Sequence, residues 1–313
     1  MPAPEPTPTC LAREAMGTRF EFVLSAADGG PDEASLRAAG DEALDEVSSL
    51  GERLNWFSAG SVVSRLAAAA GREPVRVAPD VLRLLELARQ VWLASGGAFD
   101  PTIAPLLRLW GLRGPAPATP PTDEAIAEAR ALVGLDKLDL DPATCSARLA
   151  LPGMSIDLGA IAKGWALDVA SAMLRAARVP RALLHGGTSS VCAWGSPPGQ
   201  QGWGVRVAPP PGSSAPPLTI RLRDASLSIS APHGRTGLEG AGHVIDPRTG
   251  RPARGSELAC VLGPGGAECD AWSTACLVLG ERPPGLPEEW TTALLRAGVW
   301  DVDGPLAPGV AQG

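Results

Sequence analysis

An α+β fold, with mixed or antiparallel sheets and flanking helices, is what this sequence predicts, and three observations predict it. Segments that read as strands outnumber the helices available as crossovers between parallel strands. Several of those strands adjoin through loops of hairpin length. The 313 residues, 45% of them hydrophobic, can bury one large core, and no linker is long enough to separate independent domains. Residues 13–300 therefore read as a single domain of two interlocked lobes, with a disordered segment over 1–12 and a flexible tail over 301–313.

The elements follow in order. The proline-rich start to Cys10 offers no regular pattern. Phe20-Glu-Phe22-Val-Leu24 alternates and reads as a strand. Over 31–55, Leu36, Ala39, Ala43, Leu44, Val47 and Leu50 recur at helical spacing, and 61–70 is a short helical or mixed segment. A helix over 78–95 carries Val81, Leu84, Leu85, Ala88 and Val91 on one face, with Pro79 near its start and Gly96-Gly97 past its end. A proline-rich loop over 112–122 leads to a helix over 123–133 capped by Thr122 or Asp123. Short strands over 137–140 and 147–151 flank an Asp-Pro turn. A long helix covers 161–177, and a strand over 181–185 runs into Gly186-Gly187. Segments 202–207 and 218–222 pair across a Pro/Ser hairpin tip. Strands over 225–230 and 258–262 and a helix over 270–279, closed by Gly280, complete the pattern.

Composition excludes several classes of function. A net charge of −7 without a basic block argues against nucleic acid as a partner. The N-terminal residues show neither a basic region nor an apolar core, so no signal peptide is expected in them. No apolar run approaches the length of a membrane span. The expectation is a cytoplasmic protein. Its six cysteines lack CxxC spacing and read as reduced and mostly buried.

Three segments concentrate chemistry. Gly242-His243-Val-Ile-Asp246-Pro-Arg248-Thr-Gly250 joins a histidine, a carboxylate and an arginine through a tight turn. Asp246 could orient or tune the ring of His243, a general base near neutral pH; the alternative is a polar turn. Arg248 could meet phosphate or merely fix its loop. Asp157-Leu-Gly-Ala-Ile-Ala-Lys163-Gly164 opens a helix, whose free N–H groups and dipole suit phosphate, with Lys163 as a point charge; the alternative is an Asp cap and a solvated lysine. The Walker spacing is absent. Asp270 and Thr274 lie four apart on one helix face and can hold a hard cation such as Mg2+; the alternative is a helix cap and a buried threonine. Ser95-Gly-Gly-Ala98-Phe99-Asp100-Pro offers a close backbone and an aromatic face to a planar ligand, or is an ordinary loop. His185 and His233 carry less support, although His185, at a strand end, could line a pocket.

Taken in order, the stretches AMGTRFEFVL, SGGAFDPTIAPLLRLWGL, SIDLGAIAKGWALD, LLHGGTSSVCAWG, GHVIDPRTGRPA and CDAWSTACLVLG resemble the ApbE family of FAD:protein FMN transferases. The resemblance runs from Ala15 to about Gly280, and it implies a two-lobed, T-fold-like architecture. It further implies a Mg2+-dependent transfer of FMN from FAD to a Thr or Ser hydroxyl of an acceptor protein, with release of AMP. By that similarity Asp270, Thr274 and the backbone carbonyl of Ala160 hold Mg2+. The resemblance makes His243 the candidate base for the incoming hydroxyl, and Asp246 joins it as a candidate catalytic residue through its nearness to that ring. Met16, Phe57, Ala98, Phe99, Asp100, Asp157, Lys163 and Val244 line the FAD site. The chain departs from the family pattern at Leu184-His185-Gly-Gly-Thr-Ser, where Asn-Leu-Gly-Gly-Asn is usual. Phe57 and Trp165 stand where tyrosines are common, and Ser273 where some members carry a carboxylate. FAD hydrolysis to FMN and AMP, and non-catalytic FAD binding, are the competing expectations.

Overall fold

The computed structural model describes residues 8–27, 29–115, 117–232 and 242–305. His233 and the outer parts of both termini lie outside them. The chain opens with strands β1 (Thr9–Ala15) and β2 (Thr18–Ser25), a hairpin in which Ala15 faces Thr18. Its two-residue turn puts Met16 at φ 52° and Gly17 at φ 72°, the conformation that suits the twist of a tight hairpin. Helix α1 (Glu33–Arg53) follows, capped by Asp32, whose carboxylate accepts from Ser35 N–H at 2.9 Å.

The chain then leaves the main sheet to build a smaller lobe. This contains α2 (Val62–Ala69), β3 (Val75–Arg76), α3 (Pro79–Ala94), α4 (Ala104–Leu109), α5 (Asp123–Ala131), β4 (Leu138–Asp141) and β5 (Ser146–Leu149). The three short strands form a sheet in the order β3-β5-β4.

Helix α6 (Ala162–Ala176) carries the chain back to β6 (Arg181–Gly186) and β7 (Ser190–Trp194). A two-stranded excursion, β8 (Trp203–Val207) and β9 (Leu218–Leu222), precedes β10 (Ala225–Ser230). The short pair β11 (Ile245–Asp246) and β12 (Arg251–Pro252) precedes β13 (Leu258–Gly263). Helix α7 (Gly266–Leu279), β14 (Thr291–Arg296) and β15 (Val299–Asp303) finish the fold. The eight-stranded sheet runs β1-β2-β6-β7-β10-β13-β14-β15, and every pairing among the described residues is antiparallel.

The sheet is covered on both faces. Leu184 of β6 faces a core with Leu44 and Val47 of α1 and Leu167 and Leu174 of α6. Its neighbour Leu183 points the other way, toward Val205, Ile220 and Leu222 of the β8–β9 hairpin. A third core joins the lobes: Leu84 and Leu85 of α3, Leu138 of β4 and Leu149 of β5 pack with Val261 of β13 and Trp272 and Leu277 of α7.

Two segments are more ordered than the sequence suggests. Residues 9–12, expected to be disordered, form most of β1, because β2 supplies a full ladder of partners. Residues 301–303, expected in a flexible tail, pair with β14. No helix among the described residues is long and apolar enough to cross a membrane. All six cysteines are free thiols, and Cys192, Cys260, Cys269 and Cys276 are buried.

Candidate active site

A cleft of about 920 Å³ opens between the two lobes. It is at the upper end of the range for small-molecule sites, roughly 300–1,000 Å³. Each wall comes from a different part of the chain. The β1–β2 turn brings Met16. The end of α1 and the loop after it bring Trp56 and Phe57. The loop after α3 brings Ala98, Phe99 and Asp100. The approach to α6 brings Asp157, Ala160 and Lys163. The segment before β11 brings His243 and Val244, and α7 brings Asp270 and Thr274. Of the residues singled out from the sequence, these line one cleft, while Asp246, Arg248 and His185 do not.

Asp246 is a turn clamp. Its Oδ1 accepts from Arg248 N–H at 2.9 Å and Nε at 3.0 Å, its Oδ2 accepts from Arg248 Nη2 at 2.9 Å, and its carbonyl accepts from Gly250 N–H at 2.7 Å. Arg248 thus braces its own loop, and neither member of the pair is among the residues that line the cleft. Trp110 Nε1 donates to Gly250 O at 2.8 Å and ties the turn to the smaller lobe. His185 does not line the cleft either; it sits on β6 opposite Glu21 of β2.

His243 receives its orientation elsewhere. Its Nδ1 lies 3.0 Å from the carbonyl oxygen of Pro232. A carbonyl can only accept, so Nδ1 carries the proton and the lone pair of the neutral ring resides on Nε2.

Asp270 is 3% exposed and set in a dense polar cage. Helix α7 begins at Gly266, so Asp270 sits in its second turn and is not a cap. The α7 N-terminus is capped from α6 instead. Asp168 accepts from the N–H groups of Gly266 at 2.6 Å and Ala267 at 2.8 Å. Burial pushes the Asp168 carboxyl up to about 6 against those two hydrogen bonds, with help from the nearby charges of Glu268 and Asp270. The helices cross at Gly164 and Gly266, where a Cβ on residue 164 would overlap the Gly266 carbonyl. That close approach lets Gly164 N–H donate to Asp270 Oδ2 at 3.2 Å. Lys163 Nζ lies 3.5 Å from the same oxygen and donates to Gly159 O at 3.2 Å, so it is paired and not a freely solvated side chain.

Strand hydroxyls complete the cage. Ser228 donates to Asp270 Oδ1 at 2.8 Å and Ser190 at 3.4 Å. Ser230 Oγ lies 2.8 Å from Ser273 Oγ and 3.2 Å from Thr274 Oγ1. The strand serines Ser190, Ser228 and Ser230 carry no mark in the sequence reading, although Ser226-Leu-Ser228-Ile-Ser230 alternates visibly.

The rest of the cleft is partly neutralised. Arg113 Nε donates to Asp157 Oδ2 at 2.6 Å, a pair largely withdrawn from solvent. Arg113 was hidden by its place in the proline-rich loop. The second Asp157 oxygen accepts from Gly159 N–H at 2.8 Å. Asp100 accepts from Thr102 N–H at 2.8 Å and Oγ1 at 2.6 Å, yet burial outweighs these bonds and raises its carboxyl to about 6. Phe57 presents an open aromatic face at the rim, 74% exposed. Beside it, Trp56 is held under the Arg108 guanidinium at 5.5 Å.

The Ala160 carbonyl precedes the α6 ladder, whose first bond runs from Trp165 N–H to Ile161 O. With the Asp270 carboxylate and the Thr274 hydroxyl, which line the same cleft, it would make an all-oxygen donor set with one charge. That chemistry fits a hard cation completed by substrate phosphates, and it does not fit a soft metal.

The sequence profile of the ApbE family matches residues 16–287. The chain belongs to the ApbE family. A Rhodobacter capsulatus protein named FAD:protein FMN transferase is 33% identical over 250 residues, 78% of this chain and 46% of that relative. The chain thus spans under half the length of that protein. A Vibrio cholerae protein of the same name is 27% identical, over 87% of this chain and 81% of its own length. Among solved structures, the flavin transferase ApbE from Vibrio cholerae superposes with a TM-score of 0.82 at 24% identity, covering 97% of this chain and 99% of its own. The ApbE protein from Thermotoga maritima gives 0.81 at 24% identity, covering 95% and 96%. The antiparallel sheet with its smaller lobe is therefore the ApbE fold.

Proposed function

We propose that this ApbE-family chain transfers FMN from FAD to a Thr or Ser hydroxyl of an acceptor protein, with Mg2+ as cofactor and AMP as the second product. The observation that carries the reading is the convergence, in one inter-lobe cleft, of His243, Lys163, Asp270, Thr274 and Ala160 with the aromatic and backbone surfaces of Met16, Phe57 and Phe99. The names of the relatives point the same way.

In this reading each residue has a task. Asp270, Thr274 and the Ala160 carbonyl hold Mg2+. When bound, the ion neutralises charge that develops on pyrophosphate oxygens. Lys163 adds a point charge to the same region. Phe57 offers its exposed face to a planar ring of the dinucleotide, and the buried Phe99 supports the cleft wall from behind. The acceptor hydroxyl oxygen bonds to the phosphorus of the FMN half as the pyrophosphate bridge breaks. AMP leaves with the bridging oxygen, and the hydroxyl proton passes to His243 Nε2.

The test is incubation with FAD, Mg2+ and a candidate acceptor, followed by intact-mass analysis and AMP measurement. Transfer adds the mass of FMN to the acceptor in step with AMP. AMP release that is independent of acceptor would make the chain an FAD pyrophosphatase. FAD binding with no AMP under any divalent metal would make it a flavin-binding protein. The Asp270→Ala variant is expected to lose Mg2+-dependent turnover and keep FAD binding; full Mg2+-dependent activity in that variant would remove Asp270 from the ligand set.

A further inference from the structure

We propose that Ser228 is a positioning residue that aims the Asp270 carboxylate and so sets the affinity of the cation site. The inference rests on the ligand assignment proposed above. Strand β10 presents Ser226, Ser228 and Ser230 on alternate positions, the set of positions that also meets α7 through Asp270 and Ser273. Leu227 packs on the opposite side of the sheet with the β8–β9 hairpin. A strand face under a helix with eleven buried residues would ordinarily be apolar. Here it is a row of hydroxyls, of which Ser228 and Ser230 are bonded to residues of α7.

The geometry divides the two carboxylate oxygens. Oδ1 is engaged on the strand side by Ser228 at 2.8 Å and Ser190 at 3.4 Å. Oδ2 is the oxygen that meets Lys163, a cleft residue, at 3.5 Å. Ser228 thus pins the oxygen that faces away from Lys163 and fixes the direction of the other. With Oδ1 anchored by Ser228 and Oδ2 accepting from Gly164 N–H at 3.2 Å, the χ2 rotation of Asp270 is restricted, and a cation held by this carboxylate would meet a preorganised group. Outer hydrogen-bond partners of a ligating carboxylate are worth roughly 10–100-fold in metal affinity. Ser228 is fully buried and does not line the cleft, so an effect of its substitution on metal binding must travel through the groups it bonds, of which the Asp270 carboxylate at 2.8 Å is nearest, ahead of Ser189 O at 3.2 Å and Ser273 Oγ at 3.4 Å.

The experiment titrates Mg2+ into FAD-saturated full-length protein by calorimetry and records the Mg2+ dependence of AMP release in parallel. Four proteins are compared: wild type, Ser228→Ala, Ser228→Thr and Asp270→Ala. Ser228→Ala is expected to weaken Mg2+ binding by about tenfold, with a much smaller fall in turnover at saturating Mg2+. Ser228→Thr, which keeps the hydroxyl, is expected to restore binding to near the wild-type level. A melting curve without metal establishes that Ser228→Ala is folded. If Ser228→Ala binds Mg2+ as wild type does while Asp270→Ala does not bind it, the role of Ser228 is overturned and the ligand assignment stands. If Asp270→Ala also binds Mg2+ normally, the ligand assignment itself has failed.

Discussion

At the scale of single residues, function here depends on which atom of a side chain is already engaged. The Pro232 carbonyl leaves His243 one tautomer, with its proton on Nδ1. Sequence proximity had suggested Asp246 as the partner that tunes this ring, three residues away. Asp246 is instead spent on Arg248 within its own turn, because an Asx-type turn two residues long satisfies a carboxylate locally. For this pair, spacing along the chain did not show which group each side chain engages: Asp246 holds Arg248 and the His243 ring meets Pro232 O. Spacing was a good guide for Asp270 and Thr274, where helical spacing alone puts both side chains on one face. The prediction at this scale concerns His243→Ala. A general base contributes roughly 10²–10⁴-fold to a proton-transfer step. Turnover measured by AMP release should fall by that order, while FAD affinity, followed by flavin fluorescence, should change by less than about threefold. Equal losses in both would make His243 a structural residue.

Elements explain what was legible in the sequence and what was not. Helices α1, α3 and α6 and strands β8 and β9 show their period because each buries one face only. Strand β7 is buried at all five positions and β14 at five of six, so neither alternates, and both escaped notice. The start of α7 was placed four residues late. Its first turn reads as a Gly-Gly loop, and its cap, Asp168, lies 98 residues upstream of Gly266. No local pattern reveals a cap supplied from another helix. The same crossing governs the site, since Gly164 both admits α7 and donates to Asp270. In Gly164→Ala the new methyl meets backbone atoms, which cannot rotate away. Overpacking of this kind costs about 1–3 kcal/mol. The melting temperature should drop by several degrees, and the Mg2+ concentration for half-maximal activity should rise because the Gly164–Asp270 bond lengthens. An unchanged melting temperature would show that the helices do not approach as closely as described.

For the whole molecule, the decisive feature is that the cleft is built by both lobes over a shared core. Phe57 and Phe99 stand on the smaller lobe, and Asp270 on the helix under the main sheet. Leu84 and Leu138 of the one pack in the same cluster as Val261 and Trp272 of the other. Neither lobe can open without exposing part of that cluster, so the lobes should unfold together even though the chain is long enough for intermediates to be common. Tryptophans report from both sides, with Trp92 in α3 and Trp194 and Trp203 on the sheet and its covering hairpin. Urea unfolding followed by tryptophan fluorescence and by far-UV circular dichroism should therefore give one coincident transition. A ligand bound only by the assembled cleft, present at 100 times its dissociation constant, stabilises the folded state by about 2.7 kcal/mol. FAD with Mg2+ should move the entire transition to higher urea, with both probes shifting together. Two separated transitions, with FAD moving only one of them, would mean that the lobes are independent and that the cleft belongs to one lobe alone.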